Sequence, residues 1–448
     1  MELSEEFAGA QFGDQRLYER CIQVAQRVGS DPTLSFPRIA EDWGWLKGAY
    51  RFFSNPRVTR EKILEPHVEH TVRRCMKAPV VLAVQDTTTI TYSHHLHTEG
   101  LGPVDSTPGG GLGMIVHTVL AVDGANRQPF GVLHQEVIIR HGRFPKTETY
   151  QQRLGRKRES QKWINGLWGV KRVLPAHPKI LHICDREADI YLFIKEILAA
   201  NEGFVIRGGR NHSTEFSSVI NELSTAAVRG AVQIHVPRNG TRPGRNATVE
   251  IQSCSVRMQA PKVVGHRGEQ VPVNVVRVKE PNPPPGQAAL HWILLTSEPV
   301  DTLEECLTSI RYYQARWLIE DFHKGLKSGC NIEERQLSER QALENALGLF
   351  TVIAAHLLYL RSLSAVPLGQ PIECGFSNIQ IKILQAKFPK EKVTMEPNTI
   401  IRLIARMGGF IGRKSDGNPG WLTIMRGISD LLLIEQGVFL APAVVGKG

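Results

Sequence analysis

The stretch ILHICDREADIYLFIKEILAANEGFVIR, residues 180–207, decides the fold of this chain. It opens with a short apolar run at residues 180–184, which predicts a buried β-strand. The apolar pattern of residues 188–200 predicts a helix, and residues 204–207 predict a second strand. This order of strand, helix and strand is typical of an α/β domain whose strands share one sheet.

Three more strands are predicted before this stretch. Residues 79–84, 114–122 and 130–139 are apolar, β-branched runs, and the last two flank an Asp-Gly turn. Residues 150–171 predict a helix that leads back to the strand at residue 180. The complete order predicts an α/β fold, a ribonuclease-H-like mixed sheet with helices on its faces.

The rest of the chain predicts three domains. Residues 1–70 predict a helical N-terminal domain, and residues 71–330 predict the ribonuclease-H-like domain. Within the second domain, residues 208–290 alternate with a period of two between turn-rich pieces, which predicts an inserted β subdomain. A helix over residues 303–327 is expected to close this domain. Residues 331–448 predict a helical C-terminal domain.

Composition limits the partner and the compartment. The chain has 448 residues and a formal net charge of +10, which favours a polyanionic partner such as nucleic acid or a membrane surface. Its seven cysteines form no Cys-x-x-Cys pair, as expected for reduced thiols in the cytoplasm. The N-terminus has no signal-like region, and the most apolar run, residues 346–360, is too short for a membrane span. We expect a cytoplasmic protein without a membrane partner.

Three carboxylates are candidates for a metal site. Asp86 and Asp185 each follow a predicted strand, where an aspartate can also simply cap a turn or helix. If these two strands are central neighbours, both side chains emerge at one edge of the sheet, and Glu320 on the closing helix can face them. Oxygen ligands of this kind suit Mg²⁺ or Mn²⁺, and a pair of such ions supports phosphoryl transfer.

The closing helix carries a row of polar residues. Tyr313, Arg316, Glu320 and Lys327 recur at helical spacing on one face, a pattern that is also typical of a solvated helix surface. Beside a metal site, Arg316 and Lys327 are suited to holding phosphates, and Tyr313 to a hydrogen bond or to stacking on a base.

These motifs resemble the DDE-type bacterial transposases of the insertion-sequence-four family. The resemblance rests on DTT after the first strand, CDREADI after the fourth, and Tyr-x-x-Arg-x-x-x-Glu-x-x-x-x-x-x-Lys on the closing helix. It extends to FGDQR, GAYRFFSNP, FGVLHQE, LHWILLTSEPV and ARMGGF elsewhere in the chain. It therefore covers nearly the whole sequence.

The resemblance implies a set of site residues. Asp86, Asp185 and Glu320 match the catalytic, metal-binding triad of the family. The residues expected to contact DNA are Tyr313, Arg316, Lys327, Trp292, Arg207, His323, Lys324, Arg16, Arg20 and Arg51. Among these, Trp292 matches a tryptophan that receives a flipped base.

The function that the resemblance implies is cut-and-paste DNA transposition. A homodimer in a synaptic complex would bind the terminal inverted repeats as double-stranded DNA, excise the element through a hairpin, and join its 3′ ends to target DNA. Two Mg²⁺ ions per site, or Mn²⁺ as substitutes, would serve every step. Two alternatives remain: a DNA-binding relative without catalysis, and another ribonuclease-H-like nuclease such as a junction resolvase or a ribonuclease.

Overall fold

The computed structural model describes residues 3–92, 98–105, 111–140, 159–175, 178–236, 244–261, 268–366, 376–391, 393–394, 396–413 and 416–445. The strands found in these residues are β1 Val80–Thr91, β2 Gly102–Pro103, β3 Leu112–Asp123, β4 Pro129–Ile138, β5 Lys179–Cys184, β6 Gly203–Arg207, β7 Val228–Val236, β8 Arg245–Gln259, β9 Gln270–Lys279 and β10 His291–Thr296.

The helices of the same residues are α1 Gln15–Ser30, α2 Phe36–Ile39, α3 Trp43–Phe53, α4 Arg60–Cys75, α5 Gln161–Val173, α6 Tyr191–Ala199, α7 Val219–Thr225, α8 Leu303–Gln314, α9 Trp317–Lys324, α10 Arg340–Leu363, α11 Asn378–Lys387, α12 Pro397–Met407 and α13 Trp421–Val445. The helix predicted over residues 150–171 is observed as α5, and its first part, residues 150–158, lies outside the described residues.

The described strands form one mixed sheet in the order β2-β3-β1-β5-β6-β10-β9-β8-β7, with β4 paired to β3. β5 runs parallel to both β1 and β6, whereas the other pairs are antiparallel. Helices pack on this sheet, and the chain is helical before it and after it. The predicted α/β, ribonuclease-H-like fold class is confirmed.

Strand β1 continues past the position where it was predicted to end. Its parallel pairing with β5 stops at Val84 and Ile183, but its antiparallel pairing with β3 continues to Thr91. Asp86 therefore lies inside β1 and not after it, which corrects the prediction. The β-branched residues of the TTT run, which follow Asp86, favour extended backbone and explain the longer strand.

The inserted strands continue the core sheet. β10 pairs with β6 on one side and with β9 on the other, and β8 and β7 follow. Val249 of β8 and Val276 of β9 are fully buried in the same core cluster as Val84 of β1. The predicted β character of residues 208–290 is observed, but these strands extend the main sheet and do not form a separate sheet.

The closing helix is not a single helix, contrary to the prediction over residues 303–327. α8 ends at Gln314, and the N–H groups of Ala315 and Arg316 donate to carbonyls three residues earlier, at 3.1 and 3.0 Å. This tight turn separates α8 from α9. A π-helical turn, Gly325–Gly329, follows α9, so a uniform 3.6-residue repeat does not hold along the polar row.

A buried ion cluster joins the N-terminal segment to the sheet. Arg74 donates to Glu6 at 2.7 Å, and His67 Nδ1 lies 2.5 Å from the same carboxylate. The N–H of Val132 in β4 donates to His67 Nε2 at 3.0 Å, and burial lowers the pKa of His67, so the ring is neutral. Burial alone would raise the pKa of Glu6, but the hydrogen bonds and charges of His67 and Arg74 hold it well below its usual range.

A second contact of this kind comes from Arg335, which is 2% exposed. Its guanidinium donates to the carbonyls of Pro32 and Leu34 in the N-terminal domain and to Cys330, and it stacks on Phe350 of α10. Burial lowers the pKa of Arg335 to about 10, so it is charged at neutral pH. Arg335 lies in the predicted C-terminal domain, so its buried polar contacts join that domain to the N-terminal domain and to Cys330 of the ribonuclease-H-like domain.

The predicted apolar run forms the long helix α10. This helix is long and apolar enough to cross a membrane, yet 83% of its most apolar window is buried inside the fold. Its buried side chains pack against α3, α4 and β4. α10 is therefore a core helix that connects the described domains.

Replacing Glu6 by Gln is expected to destabilise the protein at pH 7 by about 2–4 kcal/mol, because Arg74 and His67 lose a buried carboxylate. Because the pKa of Glu6 is lower in the folded protein than its ordinary value of 4.5, the ionised carboxylate stabilises the fold above pH 4.5. This contribution is lost as the pH falls through the pKa of Glu6 in the folded protein. Thermal melts from pH 7 to pH 3 should therefore show a gap between the variants that narrows below about pH 4.5. The exposed neighbour Glu5→Gln is the control and should melt like the wild type. A gap that stays constant with pH would contradict this account.

Candidate functional site

Two candidate carboxylates lie on adjacent central strands. Asp86 stands two residues beyond the last parallel partner of β5, and Asp185 follows β5 directly. The Asp185 side chain caps a short 3₁₀ turn by accepting the N–H of Glu187 at 2.9 Å, and Asp86 accepts the N–H of Thr87 at 2.7 Å. The capping alternative is therefore observed at Asp185, together with its position beside Asp86. β1 and β5 are parallel, so both carboxylates emerge at the same edge of the sheet.

The third carboxylate reaches this edge from α9. Arg316 Nη2 lies 2.5 Å from Glu320 Oε1, and its Nη1 lies 3.8 Å from Asp86 Oδ2. The Arg316 side chain is 10% exposed, and it lies between the carboxylates of Glu320 and Asp86. The turn at Ala315 places Arg316 just before α9 and directs it across this gap.

The pKa of Asp86 reflects the same proximity of the three carboxylates. Burial raises its pKa from 3.8 to about 6, with further increases from the charges of Asp185 and Glu320. The Thr87 N–H and the Arg316 guanidinium oppose this rise. Three carboxylates thus share one partly buried edge, and one guanidinium neutralises them only in part.

The donor set fits a hard divalent cation, because all three side chains supply carboxylate oxygens. Among the described residues, however, no three acidic, His or Cys side chains already stand at the spacing of a closed metal cage. Glu320 is instead engaged with Arg316. The residues fit such an ion by chemistry, provided that the Glu320 side chain turns away from Arg316.

Several predicted DNA contacts lie together beside the carboxylates. Burial raises the pKa of Tyr313, and the nearby guanidinium groups of Arg316 and Arg207 oppose this rise. The guanidinium of Arg316 lies 6.0 Å from the ring centre of Tyr313. Arg207, which ends β6, pairs across the sheet with Leu294. Trp292 is two residues from Leu294 on β10, so it lies on the same face and is half-buried.

The last residues of the polar row are arranged differently. Lys327 lies in the π-helical turn, 3.7 Å from Glu333, whose carboxylate also accepts the N–H of Thr91 at 2.8 Å. Lys324 is exposed, as expected for a phosphate contact. His323 is 8% exposed, and burial lowers its pKa to about 3. A neutral, buried ring is unsuited to the predicted phosphate contact.

The predicted contacts of the N-terminal domain lie on α1 and α3. Arg16 and Arg51 are exposed. Arg20 is half-buried, and its guanidinium lies against Gly48, where an added Cβ would stand 2.9 Å from the guanidinium carbon. α1 and α3 contact each other, so all three cations belong to one small helical unit.

A buried chain of polar side chains behind Asp86 was not predicted. Thr87 hydrogen-bonds His117 Nδ1 at 3.0 Å, and His117 Nε2 contacts Gln85 at 3.1 Å. Gln85 contacts His182 Nδ1 at 2.8 Å, and His182 Nε2 contacts Glu202 at 2.7 Å. Burial lowers the pKa of His117 well below its usual range, so its ring is neutral. The polar residues inside the apolar runs AVQD and ILHIC were the signal that could have revealed this row of hydrogen-bonded side chains.

Comparison with protein families gives two matches. Residues 3–58 match the model for transposase DNA-binding domains, and residues 377–446 match the model for the transposase Tn5 dimerisation domain. The two matches support a Tn5-like transposase, which confirms the resemblance and is consistent with the insertion-sequence-four family.

The two matched regions agree with the structure. The first contains α1 to α3 and the three arginines expected to contact DNA, and it supports DNA binding. The second contains α11 to α13 and supports a homodimer. α13 exposes large apolar side chains, as a dimer interface requires: Leu422, Leu433, Ile434, Val438, Phe439 and Leu440.

Replacing Asp86 by Asn is expected to stabilise the metal-free protein at pH 7.5 by about 1–2 kcal/mol. A folded pKa raised from 3.8 to about 6 means that stability falls as the pH rises through this window, and the neutral amide removes that cost. Thermal melts in EDTA should show a gap at pH 7.5 that closes toward pH 4. The exposed Asp301→Asn is the control. A lower melting temperature for Asp86→Asn at pH 7.5 would contradict the crowded arrangement of carboxylates.

Proposed function

We propose that this Tn5-like transposase excises its element by cut and paste. Water cuts one strand at each element end and leaves a 3′ hydroxyl, which attacks the opposite strand to form a hairpin. A second water reopens the hairpin, and the freed 3′ hydroxyls attack target DNA. Each step breaks one phosphodiester P–O bond and forms another, so a single site serves all of them.

One observation supports this proposal above the others: Asp86, Asp185 and Glu320 come from three separate elements and meet at one edge of the sheet. Three carboxylates in a partly buried place repel one another and need a counter-charge, and Arg316 supplies only part of it. The transposase DNA-binding and dimerisation matches supply the context of DNA and of two protomers.

We infer that Asp86, Asp185 and Glu320 hold two Mg²⁺ ions, which Mn²⁺ can replace. When bound, these ions activate the attacking oxygen and stabilise the leaving oxygen of an in-line displacement. Arg316 must release Glu320 for the three carboxylates to act together. A DNA phosphate is a suitable exchange partner for this guanidinium, because it also accepts a bidentate hydrogen bond.

The neighbouring residues would hold the DNA end. Arg316, Lys327 and Lys324 are suited to its phosphates, and Lys327 would exchange Glu333 for one of them. Tyr313 and Arg207 form the adjoining wall.

The remaining predicted residues would bind the hairpin base, the terminal repeat and the second protomer. Trp292 would stack on a base flipped out of the hairpin, which offsets unstacking by about 1–3 kcal/mol. Arg16, Arg20 and Arg51 would bind the terminal repeat. Dimerisation through the C-terminal domain would pair two ends in a synaptic complex before target DNA is joined.

The test is a cleavage assay on a labelled duplex copied from the inverted repeats that flank the gene, with Mg²⁺ or Mn²⁺, resolved on a denaturing gel. Wild type should produce nicked and hairpin species, and EDTA should abolish both. Glu320→Gln should bind the duplex but cut it only at background level, because the amide can still accept from Arg316 but is a poor metal ligand. Glu304→Gln on α8 removes an exposed carboxylate and should cleave normally.

Three outcomes separate the alternatives. Hairpins from wild type alone support the proposed transposase. Nicks without hairpins would indicate another ribonuclease-H-like nuclease. Specific binding without any cut strand, under either metal ion, would indicate a DNA-binding relative without catalysis.

A further inference from the structure

The acidic residue that ends the CDREAD motif has no place in the proposed chemistry. Asp189 is 0% exposed, and it lies at the end of the 3₁₀ turn that Asp185 begins. A buried carboxylate is costly unless hydrogen bonds satisfy it. The groups that satisfy Asp189 therefore indicate what it holds in place.

The partners of Asp189 all come from the loop after β6. The N–H groups of Gly209 and Arg210 donate to its Oδ2 at 2.7 and 2.8 Å, and His212 Nε2 lies 2.5 Å from its Oδ1. Charge-assisted hydrogen bonds of this kind are about twice as strong as neutral ones. One buried carboxylate thus anchors the backbone and a side chain of a single loop.

The same loop packs tightly against the Asp185 turn. A Cβ on Gly209 would lie 3.0 Å from Cβ of Arg186 and 3.2 Å from its carbonyl oxygen. The N–H of Gly208 donates to the carbonyl of Ile293 on β10 at 2.9 Å, which fixes the other side of the loop. The loop is therefore held between the turn that carries Asp185 and the strand that carries Trp292.

This loop presents Arg210 to solvent beside the site. Arg210 is exposed, and no acceptor contacts its guanidinium in the part of the chain that the structure describes. Three residues earlier, Arg207 lies near the Tyr313 hydroxyl beside the proposed DNA path. A cation with a fixed backbone and a free head group, next to the proposed metal ligands, is suited to a phosphate.

We propose that Arg210 binds a backbone phosphate of the element end and that Asp189 is the positioning residue that holds the loop after β6 against the Asp185 turn. This inference rests on the proposed function, because it needs DNA at that edge. It adds a sequence-independent contact and explains the last acidic residue of CDREAD as a positioning group.

Arg210→Gln tests the contact directly. With the terminal-repeat duplex, the slope of log affinity against log salt should become shallower by about 0.9, which is roughly an eightfold loss of affinity at 0.1 M salt. Arg73→Gln removes another exposed charge, on α4, and should leave the slope unchanged. The side chain of Arg210 is exposed, so the variant should melt like the wild type.

Two Asp189 variants test the positioning. Asp189→Ala leaves three donors without their acceptor, and it should lower the affinity more than Arg210→Gln because the whole loop is displaced. Asp189→Asn keeps an acceptor oxygen for the two N–H groups and should recover most of that loss. In the Arg210→Gln background, Asp189→Ala should lower the affinity for the duplex by a smaller factor than in the wild type, because the Arg210 contact that Asp189 positions is already gone.

The outcomes separate this inference from the proposed function. If the wild type neither binds nor cuts the duplex, the proposed function fails. If the wild type does both but Arg210→Gln keeps the wild-type salt slope, the phosphate contact is wrong. If Asp189→Ala is folded and binds like the wild type, or if Asp189→Asn recovers nothing, the positioning is wrong. Should Asp189→Ala not fold, the Arg210→Gln slope still decides whether the contact exists.

Discussion

The parallel pairing of β1 with β5 is the constraint on which the rest of the structure depends. It brings Asp86 and Asp185 to one edge of the sheet, in a place where burial already raises the pKa of Asp86. The crowding of charge is offset only in part, by Arg316. Repulsion between these carboxylates lowers the stability of the fold, and under the proposed function a bound cation would relieve it.

The structure also explains how recognition at one end of the chain can be coupled to this edge. Glu6 attaches the N-terminal segment to the sheet through Arg74 and His67, and Arg335 attaches the N-terminal domain to the segment that follows α9. These buried polar contacts have little tolerance for displacement. The matched dimerisation region lies at the opposite end, and α10 packs against elements of both. A DNA end held by α1 and α3 would therefore have a defined position relative to Asp86.

Much of this arrangement could be predicted from the sequence, because β-branched runs identify strands and parallel strands bring their carboxyl ends together. The neighbouring positions of Asp86 and Asp185 followed from that rule. The turn at Ala315, the π-helical turn around Lys327 and the burial of His323 did not, since helix periodicity carries no information on local hydrogen-bond changes or on tertiary cover. Asp189 was missed for a related reason: its partners lie in a loop whose position depends on the finished fold.

The most direct test of the central claim is anomalous diffraction from crystals of the protein with a cut terminal-repeat duplex and Mn²⁺. The account predicts Mn²⁺ peaks bounded by the carboxylates of Asp86, Asp185 and Glu320, with Arg316 moved from Glu320 to a DNA phosphate. Peaks that involve other residues, or a Glu320 still paired with Arg316 while the bound DNA has been cut, would contradict it.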